Sequence, residues 1–404
     1  MAPATLSSVQ ALLGCSLWVL SNQRFNHCWT LFGTVTRLLL ALGLNRRKAV
    51  SDTSHSDLVQ EECGKRVFWC AYVLDKYLSS MFGRPCALHD DDIDQDMPTV
   101  IEDTDISATA INTTGTNKMN SMMAPLYHQK LGQILSQTLR RLYGIQPLEH
   151  SALLEITAEL GREVDRWRED LPAFLNQEKV DSWNLVGPFR DQSDILNLAV
   201  RHLEILIFRP CLLNNIHSPT AERSRSNMDR CIRAAMGIVD IITRMIDSNR
   251  LPAASWLPNH TAFCAVVVLY TCATLDRHDD PSTWLGNYRA AENCQKRIAA
   301  VAGTDPLARR YLIIMEEFRL EVAKQIQHDS SSPNAVFEQE PDEVDQLFGC
   351  YDTDESPWMD DSSNQIANFL DMPNWEQLGS LVSLCLPLTA HSFFLFFLVG
   401  PLLI

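Results

Sequence analysis

The spacing of apolar residues constrains the fold most, because it follows a helical period along most of the chain. In one such stretch Val67, Leu74 and Leu78 lie seven and then four residues apart, which brings them onto one face of an α-helix. Strand-like alternation is scarce, and no alternation of strands with helices is evident. The chain is therefore predicted to be all-α, with about ten helices.

Glycine, proline and capping residues predict where these helices end. Gly83 and Pro85 should close the third helix, and Pro210 should stop the sixth at Phe208. The run 260–275 is apolar nearly throughout, so that helix should be buried on most sides. The ten predicted helices cover 1–20, 25–44, 57–82, 119–143, 148–170, 193–208, 227–248, 260–275, 283–302 and 305–327.

Charge divides the 404 residues into a nearly neutral body and an acidic tail. Of the net charge of −16, residues 329–404 carry −13, with 13 Asp or Glu and no Lys or Arg. Neither part has the basic surface that nucleic-acid binding needs. We predict one helical regulatory domain over 1–328, a disordered acidic segment over 329–380 and an apolar tail over 381–404. Within the domain, the Ser/Thr/Asn-rich stretch 99–118 is predicted to be a mobile insert.

The twelve cysteines are scattered, and no two have the C-x-x-C spacing of a zinc or redox site. Most lie in apolar helical stretches, which predicts reduced, buried side chains. The apolar run 11–20 has no basic residue before it, as a signal peptide would. These features predict an intracellular, reducing compartment and no cofactor in this chain.

The acidic segment 329–380 carries large apolar side chains among its carboxylates. This composition is typical of segments that bind a coactivator groove, because the acids keep the hydrophobic side chains in solution. A plain solvated tail is the alternative, and the sequence does not separate the two. The candidate effector residues are Phe348, Trp358, Phe369, Leu370 and Trp375.

The terminal stretch 381–404 contains 24 uncharged residues, a length that can cross a bilayer. Pro387, Pro401 and the absence of flanking Lys or Arg weigh against a membrane anchor. We favour an artefact of gene prediction, such as a translated intron. A tail-anchored membrane protein is the second interpretation.

The acidic stretch after the third helix is the one cluster that suggests chemistry. Asp90, Asp91 and Asp94 spell D-D-x-x-D, the magnesium-binding signature of all-α isoprenoid synthases. Such enzymes need a second metal motif on a facing helix, and none is in register. Partial calcium-loop spacing also occurs, but Met97 stands where that loop requires glycine. A magnesium-dependent diphosphate enzyme is therefore kept only as an alternative function.

A structural interpretation of the same stretch is favoured. Arg66 and Asp75 lie on a largely apolar helix and are candidates for paired, partly buried charges. Arg84 could hold Asp92 or Asp94 through its planar guanidinium and so clasp the acidic loop.

Several motifs occur in an order that resembles a known family. They are LGLNR at 42–46, KRVFW at 65–69, DK at 75–76, FGRP at 82–85, DDID at 91–94 and MP at 97–98, with looser matches at 131–135, 167–172 and 208–212. Together they resemble the fungal-specific transcription factor domain, the middle homology region of zinc-cluster (Zn2Cys6) regulators. The residues that we assign to this structural motif are Arg66, Trp69, Asp75, Gly83, Arg84, Pro85, Asp92 and Asp94.

The resemblance implies a nuclear regulator of transcription that contacts the transcription machinery through its acidic tail. It also implies a small-molecule inducer as a further partner. The hydrophobic helix faces separately suggest a homodimer. In such regulators zinc and DNA are bound by an N-terminal cluster of six cysteines, which these residues do not include. Direct DNA contact by this chain is therefore not expected. Either Met1 is an internal or mispredicted start or the chain is a genuinely truncated relative, and both explanations stay open.

Overall fold

The computed structural model describes residues 4–22, 24–47, 57–112, 119–180, 184–215, 222–251, 256–275, 281–303 and 306–329. Over these ranges the chain is all-α, as predicted, and the only β-pairing is a single bridge between Ile106 and Ile111. The candidate effector segment 329–380, apart from Asp329, and the apolar tail 381–404 lie outside the described residues.

Ten α-helices and three short 3-10 helices make up this part of the chain. The α-helices are α1 (Leu6–Ser21), α2 (Phe25–Ala41), α3 (Leu58–Phe82), α4 (Met123–Leu142), α5 (His150–Asp170), α6 (Gly187–Asn215), α7 (Glu222–Asp247), α8 (Trp256–Leu275), α9 (Pro281–Ala302) and α10 (Pro306–Asp329). The 3-10 helices are Asp90–Asp92, Asp103–Asp105 and Ala173–Leu175.

Helix α3 begins and ends where its sequence predicts. The Asp57 side chain accepts a hydrogen bond from the Val59 amide at 2.9 Å, which satisfies one free donor of the first turn. Gly83 ends the helix in the left-handed conformation, with φ 61° and ψ 28°. A residue with a Cβ would be strained there, so the glycine is required by the backbone.

Helix α8 lies at the centre of the second half of the domain. It packs against α6, α7, α9 and α10, which explains why its sequence is apolar on all sides. Among the described residues it is the one helix long and apolar enough to cross a membrane, over Trp256–Thr274, and that whole stretch is buried inside the protein. In the first half, α1 and α2 pack together and both contact α3, while α4 contacts α3, α5 and α6.

The predicted end of the sixth helix is wrong. Helix α6 continues to Asn215, and Pro210 lies inside it. A proline has no amide hydrogen, so the Leu206 carbonyl four residues earlier loses its usual helical partner. The Tyr143 hydroxyl, just after α4, donates to that carbonyl at 2.6 Å. A tertiary hydrogen bond therefore replaces the missing backbone bond, and the helix is not interrupted.

The predicted mobile insert, 99–118, is attached to α3 over its described part, residues 99–112. The Thr99 amide donates to Glu62 Oε1 at 2.9 Å, and the Leu58 amide donates to the Ala108 carbonyl at 3.1 Å. Ile101 is buried, with 3% of its surface exposed. These contacts tie the start of the segment to the helical domain, and residues 113–118 lie outside the described part.

Candidate functional site

The residues of the predicted motif gather around α3 and the acidic loop, residues 86–98, that follows it. Helix α3 is buried continuously from Val67 to Met81, although it carries Asp75 and Lys76 near its middle. Buried charges need partners, because burial removes their hydration. Backbone groups of the acidic loop are some of these partners.

Asp75 and Lys76 fasten the beginning of the acidic loop. Both side chains are buried, and Lys76 Nζ lies 3.0 Å from Asp75 Oδ2. Asp75 also accepts hydrogen bonds from the Ala87 amide at 3.0 Å and the Leu88 amide at 3.1 Å. Lys76 donates to the Leu88 carbonyl and lies 4.5 Å from the centre of the Tyr72 ring. The buried pair thus satisfies its own charges and holds the loop backbone against α3.

Asp90 ties the loop to two helices. Its Oδ1 accepts a hydrogen bond from the Tyr72 hydroxyl on α3 at 2.5 Å, and its Oδ2 accepts one from the Ser136 hydroxyl on α4 at 2.8 Å. Burial raises the pKa of Tyr72, and the hydrogen bond to Asp90 raises it further, so the phenol stays a donor at neutral pH.

The second half of the loop pairs with the residues that follow α2. The Asn45 side chain donates to the Asp92 carbonyl at 2.7 Å, while the Asn45 carbonyl accepts from the Asp94 amide at 3.2 Å and the Gln95 amide at 3.1 Å. The Gln95 side chain donates to the Leu44 carbonyl at 3.0 Å. Asn45 and Gln95 therefore connect the two segments in both directions.

Exposed ion pairs reinforce this connection. Asp94 Oδ1 accepts from the Arg47 amide at 2.9 Å and from Arg46 Nε at 3.1 Å. The Arg47 amide, followed by the charges of Arg46 and Arg47, lowers the pKa of Asp94. The Arg47 guanidinium also pairs with Asp96 at 2.5 Å. Asp94 is thus fully ionised at neutral pH.

Trp69 and Arg66 hold the far end of the loop and the segment after it. Trp69 Nε1 donates to the Asp96 carbonyl at 2.9 Å. Arg66 pairs with Glu62 at 3.3 Å on its own helix and with Asp103 at 2.5 Å across to the next segment. The charges of Arg66 and Asp75 are each paired, but with separate partners rather than with each other.

The predicted pairing of Arg84 with Asp92 or Asp94 is wrong. Arg84 donates to Asn26 Oδ1 at 2.9 Å, and its guanidinium lies 5.0 Å from the ring centre of Trp29 and 5.1 Å from that of Phe82. The left-handed backbone at Gly83 and the exposed Pro85 turn the chain there. Arg84 is therefore stacked on the aromatic contact between α2 and α3, and the loop is held by other residues.

Two of the three aspartates of the D-D-x-x-D motif are bonded to protein donors. Asp90 bonds to Tyr72 and Ser136, whereas Asp94 bonds to Arg46 and Arg47. Across the described residues, the side chains close enough to share a metal ion are instead His202, His260 and Cys264 of the helical core. The geometry of the acidic loop favours bracing of the fold over diphosphate chemistry.

Sequence reasoning overlooked the roles of Asn45, Lys76 and Gln95. Asn45 and Lys76 stand in the motifs quoted above, and a lysine in the middle of an apolar helix is a signal that could have been followed. Nothing in the sequence indicates that Gln95 bonds to residues about fifty positions earlier, because that contact exists only once the loop has folded back.

Comparison with known proteins supports the resemblance. Residues 1–169 match the fungal-specific transcription factor domain, the match covering α1 to α5 and the whole acidic loop. The motif residues around α3 lie within this matched stretch, and the resemblance first seen in the sequence is confirmed.

The similar proteins are transcriptional regulators. A transcriptional regulatory protein of Saccharomyces cerevisiae is 25% identical over 279 residues, which covers 65% of this chain and 36% of the relative. "Activator of stress genes 1" of the same yeast is 26% identical over 275 residues, covering 65% and 27%. The "ABC-transporter-regulating transcription factor" of Aspergillus oryzae is 30% identical over 180 residues, covering 44% and 19%.

The chain thus spans about a third or less of the length of these relatives. No solved structure matches it. None of the three relatives is named as a diphosphate enzyme or as a membrane protein, so neither alternative function gains support.

Proposed function

We propose that this chain regulates transcription in a fungus, with the helical domain controlling an acidic effector segment. The observation that carries the proposal is the match of residues 1–169 to the fungal-specific transcription factor domain. The names of the relatives support the same function and argue against an enzyme. Because those relatives are much longer, the target genes and the DNA contacts of the whole regulator do not follow from this chain.

The proposed effector is the segment 329–380, which adjoins the end of α10. Its aromatic side chains among carboxylates suit the apolar, basic-edged groove of a coactivator. A two-state helical domain would control this segment if a small-molecule inducer or a second copy of the chain bound one packing better than the other. A nuclear location follows from this function. Zinc and direct DNA binding are assigned only to the N-terminal cluster of longer regulators.

A reporter assay tests the effector. Residues 329–380 fused to a foreign DNA-binding domain should activate transcription in yeast. Activation should be abolished when five residues are replaced by alanine: Phe348, Trp358, Phe369, Leu370 and Trp375. The remaining carboxylates give the coactivator groove no apolar side chain to bind. The matched control replaces Ser362 and Ser363 by alanine and should stay active. Silence of the unaltered fusion would remove the effector from the proposal.

A second fusion tests control by the helical domain. The full chain joined to the same DNA-binding domain should activate less than 329–380 alone, because the domain restrains the segment. Equal activity at equal protein level, checked by immunoblot, would contradict restraint and leave the segment as an autonomous activator.

A further inference from the structure

Three buried residues of the helical core form a second polar cluster, the His–His–Cys cluster: His202 on α6, and His260 and Cys264 on α8. Their exposed fractions are 2%, 7% and 8%. One ligating atom from each residue lies within 4.8 Å of the other two. Such a convergence of imidazole and thiol groups in an apolar core is unusual, because buried polar groups need partners.

The spacing within this cluster fits a metal ion. His260 and Cys264 are four residues apart and so share one face of α8. His260 Nε2 lies 3.6 Å from Cys264 Sγ. A tetrahedral zinc ion, with Zn–N near 2.0 Å and Zn–S near 2.3 Å, separates two such atoms by about 3.6 Å. The two atoms already stand at that ligand-to-ligand distance.

A second contact orients His260. Its Nδ1 lies 3.1 Å from the Tyr311 hydroxyl on α10, which leaves Nε2 directed at the cluster. Histidines that bind metals are usually held in this way through their other nitrogen.

A buried cation lies near the cluster, because Arg209 is close enough to Cys264 for their charges to interact. Arg209 is itself only 4% exposed, and its Nε has no hydrogen-bond partner. A Cys264 thiolate would place a negative charge beside the buried Arg209. The thiolate forms only if a metal cation takes the place of the thiol proton.

We propose that His202, His260 and Cys264 bind one thiophilic d10 metal ion, Zn²⁺ or Cu⁺, inside the helical core. Imidazole and thiolate are the ligands that these ions prefer, whereas Mg²⁺ and Ca²⁺ prefer oxygen. On binding, a metal–sulfur bond replaces the S–H bond of Cys264, and the proton leaves to solvent. The ion would join α6 to α8.

This site is independent of the transcriptional function proposed above, and it departs from the sequence-based expectation that the chain has no cofactor. The two ions differ in charge. Cu⁺ with one thiolate is neutral beside Arg209, whereas Zn²⁺ with one thiolate keeps a positive charge. The fourth position of a tetrahedral ion would be open to a small ligand, since the cluster supplies three side chains.

Metal content of the purified full chain tests the proposal. After treatment with a chelator, the chain is loaded either with Zn²⁺ or, without oxygen, with Cu⁺, then desalted and assayed by atomic emission. We expect about one ion per chain for at least one metal, and a loss to near zero in Cys264→Ser and in His260→Gln. The matched control is Cys272→Ser, a fully buried thiol two turns further along α8, which should keep the ion.

Circular dichroism checks that each variant is folded. Should the variants fail to fold, the wild-type chain still decides: X-ray absorption at the metal edge should show one sulfur and two imidazole nitrogens. Absence of a retained ion in the folded wild type, a different ligand shell, or an unchanged ion content in folded Cys264→Ser would overturn the site.

Discussion

The two halves of the acidic loop are attached to the domain by contrasting means. The beginning is held by Asp75 and Lys76, whose side chains are 0% and 1% exposed. The ion pairs of the later half come from Arg46 and Arg47, whose side chains are 67% and 65% exposed. A buried charge that loses its partner is very costly, whereas an exposed pair is screened by water. The first attachment should therefore dominate the stability of the loop, although the second has more ion pairs.

Breaking the buried pair should have the largest effect. Asp75→Ala leaves the Lys76 charge buried without its carboxylate and frees the amides of Ala87 and Leu88. We expect the free energy of unfolding to fall by about 3–5 kcal/mol. Urea denaturation followed by circular dichroism measures it.

Lys76→Met is the control for that prediction. The Asp75 carboxylate keeps both backbone donors in this variant, so the loss should be smaller than in Asp75→Ala. An Asp75→Ala loss below about 1 kcal/mol, the range of exposed pairs, would remove the contrast between the two attachments.

The second largest effect should come from lowering the pH, through the buried residue His128 on α4. Burial lowers the pKa of His128 to about 4, against about 6.5 when unfolded. Between these values the unfolded chain binds the extra proton, so this contribution to stability is complete above pH 6.5 and falls as the pH drops towards 4. We expect wild type to lose about 1.4 kcal/mol more per pH unit than His128→Gln across this window. Parallel curves for the two proteins would contradict it.

A partly buried hydrogen bond, between Tyr143 and Leu206, extends the comparison. Tyr143→Phe should lower the free energy of unfolding by about 1–2 kcal/mol, because the Leu206 carbonyl loses its donor beside Pro210. In a Pro210→Ala background the alanine amide can take over, so the same substitution should cost much less. A double-mutant cycle measures this coupling, and additive losses would show that the hydroxyl does not replace the helical bond.

The exposed attachment should give the smallest effect. Asp94→Asn removes the ion pair with Arg46, but both side chains are more than half exposed. We expect the melting temperature at pH 7 to stay close to that of wild type. Because the Arg47 amide and Arg46 lower the pKa of Asp94, any contribution is present above pH 4 and lost as the pH falls further. A melting temperature that drops as far as in Asp75→Ala would reverse the proposed order.

Local sequence signals predicted much of the domain. These signals act between residues that are close in the chain. Asp57 and Gly83 mark the two ends of α3, and the apolar run of α8 is buried. The prediction failed at Pro210, where local chemistry favours a helix stop. There the compensating hydroxyl comes from Tyr143, which is distant in the chain and gave no local signal.

The same distinction applies to the two polar sites. Periodicity and capping residues were enough to predict an all-α fold, because helices form from contacts between near neighbours, and the ordered motifs were enough to show the resemblance to a known family. The partner of each charge was decided by the tertiary structure: Arg84 lies on Trp29 and Phe82 instead of an aspartate, and His202 meets Cys264 from another helix. Pairing depends on how whole helices pack, and that packing brings together residues whose separation in sequence carries no periodic signal.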